Sequence, residues 1–478
     1  MYRINARSVG SLTVLSVVLL SVASCTLNTP ATYLPPVPVP GTGTNPPRPP
    51  QVTPAPADRI FIENRKIRLG IDLKMGGSIV YLAEIGGKNV VNNFDYGRQV
   101  QTALYGGPVP YAYKGKNPPA AWPFLGWCPA QSGDFYRNTS RVITYQQDST
   151  HIYVKTAPLF AVFFNEPADC TMEHWINLNG NSVHVRSRTT INRQDTTQYD
   201  SRPQEAPAVY LNAPYSRIQI YEGTQPFTNG SINELNIIDK DEVRYAPECW
   251  VAMLNPQGRG VGLFQPNQPR FNVGFFGKPG VGDENSNPTG YLSGKEQALL
   301  DHNSVYDYQF TLIMGTLTDI RQYVYSQSRP PSTPNFRFAN DRQRWYYENT
   351  VDTGVPIRGE LNVRFDGDFY AKLLSPEVFW RGSDVQKLYI QAAFKTPAST
   401  ARLIWRRHGD PTILPSPDRY FDFPIVGDGQ YRVYELDLNQ VPGWRDYPII
   451  QMGLSPTKPE LGRTGQTVRI RSITSTQP

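Results

Sequence analysis

The chain has 478 residues, 39% of them hydrophobic and 12% aromatic, with 47 Lys and Arg against 41 Asp and Glu. That length and apolar content can build two or three cored domains and exclude a disordered chain, while a net charge of +6 is too mild for a nucleic-acid partner. The 38 glycines, 44 prolines and 28 tyrosines favour strands and turns over long helices, so an all-β fold is expected.

Residues 1–24 read as an export signal. Arg3 and Arg7 precede the run SLTVLSVVLL, which is apolar but too short for a comfortable membrane span. The following LSVASC resembles a bacterial lipobox. The resemblance implies cleavage before Cys25, acylation of its thiol, and attachment to a membrane by lipid instead of a helix. An exported bacterial lipoprotein is therefore expected. Thr26, standing where an Asp would argue otherwise, points to the outer membrane or the periplasm-facing envelope. Residues 25–57, rich in Pro, Thr and Gly without apolar periodicity, read as an extended tether. Cys128, Cys170 and Cys249 remain, enough for one disulfide in an oxidising compartment. No CxxC pattern occurs, so neither a metal site nor a cofactor is expected.

From residue 58 to 330, short alternating runs such as HIYVKTAPLFAVFF and YDYQFTLIMGTL recur between Gly, Asn and Pro, the pattern of antiparallel strands. Only LTDIRQYVYSQS, residues 317–328, suits an amphipathic helix. Residues 331–344 read as a linker. Residues 345–478 carry a second set of strands, among them KLYIQAAFKT, TARLIWRRH and TVRIRSI, in a number and spacing that suit a jelly-roll sandwich.

The stretch MEHWINLNGNSVHVRSR, residues 172–188, reads as a hairpin turning on Asn179 and Gly180, with Trp175 opposite His184 and Glu173 opposite Arg186. One face is apolar, with His174 among Ile176, Val183 and Val185. The other carries Glu173, Trp175, His184, Arg186 and Arg188. Cross-strand ion pairs on a wet surface would explain the charges. A tryptophan among them also suits a sugar platform. Three other stretches concentrate polar and aromatic groups: Asp95, Arg98, Gln99, Gln101 and Tyr105; Glu205 with Tyr210; and Glu248 with Trp250.

The run GIDLKMGGSIVYLAEIGGKNVVNNFDYGRQVQ resembles the opening of galactose-mutarotase-like proteins, with Asn92 or Asn93, Asp95, Gly97 and Arg98 at the matching positions. QEAPAVY and ECWVAMLNPQGRGVGLF extend the resemblance over roughly residues 60 to 325. It implies an antiparallel β-supersandwich whose concave sheet binds carbohydrate. The histidine acid and late glutamate base of aldose epimerases find no matching context at His151, His174, His184 or His302, so epimerase activity is not expected. The C-terminal stretch resembles jelly-roll modules of sugar-active bacterial enzymes through Tyr434, Asp437, Leu438 and Trp444. Where related modules carry an acidic residue in the last strand, this chain has Arg469 and Arg471.

These features lead to an envelope-anchored protein that takes a polysaccharide or oligosaccharide, with no protein partner indicated. A glycoside hydrolase needs two carboxyl groups, and Glu173 with Glu205 are the candidate catalytic pair. Asp95, Arg98, Trp175, His184, Arg186, Tyr210, Glu248 and Trp250 are the candidate substrate-binding residues. A lyase would draw a Tyr or His base and an Arg from Tyr210, His184, Arg98 and Arg186. A glycan-binding or envelope scaffold lipoprotein without turnover is the first alternative to the hydrolase, ahead of the lyase.

Overall fold

A computed structural model describes residues 58–120, 122–366, 371–413, 416–455 and 464–478. The signal, Cys25 and the tether lie outside the described residues. Two sheets make the larger unit. The first runs, in spatial order, through Arg59–Glu63, Ile67–Asp72, Ser78–Glu84, Val100–Ala103, Glu205–Asn212, Thr289–Gly294, Arg270–Phe276 and Lys240–Tyr245, with the short strands Pro129–Ala130 and Leu159–Phe160 attached. The second is nine-stranded: Asn233–Leu235, Arg217–Ile220, Trp250–Leu254, Arg259–Phe264, Val305–Thr316, Ser182–Ile191, Cys170–Asn179, His151–Ala157 and Arg141–Gln147. Both are antiparallel throughout.

The alternating runs explain the packing. Odd and even residues of a strand point to opposite faces, so Met172, Ile176, Val183, Val185, Phe310 and Leu312 of one sheet meet Ile79, Val209 and Leu211 of the other in one continuous core. A polar bridge crosses it: Tyr308 and Thr102 hydroxyls lie 2.6 Å apart, with Ser187 3.2 Å from Thr102. The expected helix is present as Leu317–Ser326, started by a capping box between Thr316 and Asp319. Its buried Ile320 and Val324 cover Trp250, Ile313 and Phe264 on the far side of the nine-stranded sheet.

The second unit is a smaller sandwich of two six-stranded sheets, closed around Val363, Ile390, Phe394, Leu403, Met452 and Val468. Trp380, Trp405 and Trp444 are core: the rings of Trp405 and Trp444 meet edge to face at 5.5 Å. Their indole N–H groups donate to the carbonyls of Gly443 and Val385, both at 3.0 Å. The segment read as a linker contributes a strand, Asn335–Arg337, paired with Thr464–Thr474, and buries Phe336 and Phe338. Two phenylalanines two residues apart bury one strand face, a short signal easily lost beside Ser332, Thr333 and Pro334.

Candidate functional site

The 172–188 hairpin forms, with a different turn. Asn179 pairs with Ser182, so Gly180 and Asn181 are the central residues, and Trp175 faces Arg186 while Glu173 faces Arg188. Gly180 takes φ of 58° at the first central position, the place where a type II′ turn wants glycine. Asn181 is held from outside the hairpin, its amide donating to the Met314 carbonyl at 2.6 Å. The correction moves each partner by two residues. Because side chains alternate with period two, the division into faces survives.

His174 lies on the core face, 4% exposed, and burial pushes its imidazole down to about 3, leaving it neutral. The opposite face is filled by its own side chains. Arg186 grips Asp307 with Nη2 and Nε (2.7 and 3.2 Å), and Arg188 Nε reaches the same carboxylate at 3.0 Å. Both guanidinium groups lie over Trp175, at 5.1 and 6.0 Å, and Tyr153 packs on its ring at 5.3 Å. Glu173 accepts the Tyr153 hydroxyl at 2.6 Å, and His184 contacts the Tyr323 ring at 5.8 Å. Trp175 is therefore part of a cation–π network and not a bare platform.

Glu205 lies on the other sheet. A register shift between Glu205 and Ala208 breaks the alternation of this strand where Pro207, which has no N–H to donate, interrupts the ladder. Ala206 takes the core side, and Glu205 is turned to the face that carries Tyr210 and Tyr291. There its carboxylate accepts from Tyr291 at 2.7 Å and Tyr105 at 3.1 Å, with the Lys295 ammonium 3.6 Å away. Gln204 fixes Tyr105 in turn, bonding its backbone N–H and carbonyl at 2.8 and 2.9 Å. Burial, and then the charge of Glu205, pushes the phenols of Tyr105, Tyr210 and Tyr291 well above 10, so all three stay protonated.

The Asp95–Arg98 segment closes over this face. Arg98 bonds Asn287 Oδ1 at 2.7 Å, stands 3.3 Å from Asp95 and stacks on Phe94. Burial pushes the Asp95 carboxyl up, and Arg98 offsets part of that shift. Tyr96, Gly97, Gln101, Cys128 and Phe135 enclose a cavity of about 20 Å³ against Glu205, room for about one water. Phe135 packs on Trp122 at 4.8 Å, giving the roof an aromatic outer layer. A sugar ring can reach Glu205 only when this roof opens.

The sequence-derived groups thus divide. Asp95, Arg98, Tyr210 and Glu205 gather on the ten-stranded sheet. Glu173, Trp175, His184 and Arg186 lie on the nine-stranded sheet, across the core. Glu248 and Trp250 are fully buried beneath the helix. The Trp250 indole donates to Glu248 at 3.0 Å, and Tyr325 and the Phe227 N–H take its other oxygen at 2.6 and 2.7 Å. Their assignment as substrate-binding residues is corrected, because the helix covers the outer side of that strand. The pairing of Glu173 with Glu205 is corrected too, since two carboxylates on opposite sides of a packed core cannot flank one glycosidic bond. The lyase set splits the same way, His184 and Arg186 on one sheet and Tyr210 and Arg98 on the other.

Lys295 and Tyr291 were missed. Both sit in TGYLSGKE, almost ninety residues from Glu205, and the one signal available was a Lys-Glu pair ending an apolar strand. Cys128, Cys170 and Cys249 are free and buried. Burial pushes the Cys128 and Cys249 thiols up to about 12, which makes them inert at neutral pH. Among the described residues, no group of three or more His, Cys, Asp or Glu is placed to hold a metal ion.

No protein-family model and no curated protein matches the chain. Solved structures match in part. A putative aldose 1-epimerase from Escherichia coli K12 is similar at 11% identity and a TM-score of 0.37, over 54% of this chain and 99% of its own. A galactose mutarotase-like protein from Lactobacillus casei follows at 14% and 0.34, over 54% and 99%. Part of a 4-alpha-glucanotransferase from Thermococcus litoralis matches at 14% and 0.30, over 54% of this chain and 37% of that one. The larger unit is a sandwich of two large antiparallel sheets around one core. Likenesses this distant bring no ligand, reaction or residue role to the chain.

Proposed function

We propose that this protein is an exported, lipid-anchored carbohydrate-binding protein of the bacterial envelope, acting without turnover, with the Glu205 face as its binding centre. The observation that carries the reading is the Glu205 carboxylate, buried beneath an aromatic roof and set by Tyr105, Tyr291 and Lys295. Such a group is a strong acceptor for sugar hydroxyls once exposed, and the Tyr–Lys cluster supplies donors beside it. Trp122 and Phe135 offer the apolar faces that pyranose rings stack on. The Cys25 lipid and the proline-rich tether would hold this unit at a membrane surface.

Binding without turnover is favoured over hydrolysis by the separation of Glu173 from Glu205. It is favoured over elimination because Tyr210, the candidate base beside Arg98, is buried with its phenol pushed up, and Arg186, beside the other candidate base His184, is already paired with Asp307. The test is a panel of neutral and uronate-containing glycans offered to the purified protein, with both bound ligand and released products recorded. Binding with no new reducing ends and no unsaturated product is the expected result. Either product would contradict the reading, and so would a failure to bind any glycan in the panel.

A further inference from the structure

The Trp175 face leads to a second feature that the Glu205 site does not use. A cavity of about 410 Å³ lies at the seam between the two sandwiches, within the range of small-molecule sites. Asn303, Val305 and Asp307 of the larger unit line it, together with Asn340, Gln343 and Arg344 of the smaller one. Asp307 joins the two features. Its carboxylate is held by Arg186 and Arg188 at 2.7 and 3.0 Å, while its carbonyl accepts from Arg344 at 3.2 Å.

The wall is built with care for its shape. Gln343 and Arg344 are consecutive non-glycine residues at φ of 45° and 56°, a conformation that persists only where surrounding bonds impose it and that clusters at ligand sites. Those bonds are present. Gln343 clasps the backbone of Arg337 through both ends of its amide, at 2.7 and 3.2 Å. Arg344 bonds the fully buried Glu296 at 2.9 Å, whose same oxygen accepts Tyr306 at 2.8 Å.

The chemistry of the wall selects a ligand class. Its principal charges are matched internally: Glu296 with Arg344, Asp307 with Arg186 and Arg188, and Arg342 with Asp301 and Asp352. Asp341 also lines the space, its Oδ1 accepting the Gln343 backbone N–H at 2.7 Å, so an anionic ligand would meet paired guanidinium groups and a further carboxylate, whereas a sugar hydroxyl would find an acceptor. What faces the space is the exposed amide of Asn340 and the amide of Asn303, which also donates to the Val355 carbonyl at 2.6 Å, around Val305, which is 55% exposed. Amides donate and accept at once, and an apolar spot among them suits the mixed C–H and hydroxyl surface of a pyranose.

We propose that the seam cavity is a second carbohydrate site, taking one or two units of a neutral sugar. The proposal rests on the carbohydrate reading above for its ligand class, but on different residues. It is tested by saturation-transfer NMR with galactose, glucose and cellobiose on the wild-type protein and on Val305→Arg, Asn340→Trp and Glu205→Gln. Val305 and Asn340 are exposed, so the first two substitutions fill the cavity without entering a core, and melting temperatures check that the fold is kept. Expected is transfer to at least one sugar that persists in Glu205→Gln and weakens by at least about tenfold when either seam substitution is added to Glu205→Gln, while transfer undiminished in those double variants would overturn the seam site. Transfer that survives both seam variants and vanishes in Glu205→Gln would overturn the seam site while leaving the Glu205 site standing. Transfer absent from every protein would overturn both.

Discussion

Arg342→Ala is expected to lower stability by about 3–5 kcal/mol, the cost of removing one partner from a buried ion pair. Arg342 bonds Asp352 through Nε and Nη2 at 2.6 and 2.9 Å and bonds Asp301 as well. The two carboxylates are 0% and 3% exposed, so neither can turn to water when the guanidinium is gone. Asp301 precedes the long strand Val305–Thr316 of the larger unit, whereas Asp352 ends a strand of the smaller one. The arginine therefore rivets the sandwiches together. Burial pushes the Asp352 carboxyl up, but the hydrogen bonds and charge of Arg342 outweigh it and hold the group below its ordinary 3.8. A carboxyl depressed in the folded state gives stability that is complete above its unfolded value and is lost as pH falls through the folded one. Chemical denaturation at pH 7 should thus show the full difference between wild type and variant, narrowing below about pH 4. Arg342→Lys should recover only part of it, because an ammonium cannot reproduce the two-pronged grip. Equal midpoints for wild type and Arg342→Ala would remove the rivet from this account.

A comparable loss, about 3–5 kcal/mol, is expected for Glu205→Ala. The substitution leaves the Lys295 ammonium, 10% exposed, without its counter-charge. It also strips two buried phenols of their acceptor. Glu173→Ala makes the contrast. That carboxylate is half-buried at the surface, with Lys155 3.8 Å away, and its ion pair belongs to the class worth about 1 kcal/mol or less. Urea titrations of the two variants side by side should separate them clearly. Similar midpoints would mean that the Glu205 cluster is no more than surface decoration.

Period-two alternation made the sheets legible, and the same rule separated the hairpin faces even though the turn was placed one residue early. The helix was legible from its spacing, and the structure adds the capping box of Thr316 and Asp319 at its start. The candidate site was only half legible. Alternation puts Glu205 on the core side of its strand, and the irregularity at Pro207 reverses that. Tyr105 and Lys295 reach it from segments whose proximity depends on which strands pair. Glu248 and Trp250 illustrate the opposite error: a Glu and a Trp near each other looked like a sugar site, but the helix five strands later in the chain covers them. Charge and aromaticity in a sequence show what a face is made of, while accessibility depends on what packs against it.

The central claim is that Glu205 is the centre of carbohydrate binding. The measurement that tests it most directly is a calorimetric titration of a glycan bound by the wild-type protein into Glu205→Gln, which keeps the side-chain shape and removes the charge. A charge-assisted hydrogen bond contributes about 1.5–3 kcal/mol, so affinity should fall at least about tenfold. Equal affinity in the two proteins would contradict the claim and move the binding centre elsewhere on the molecule.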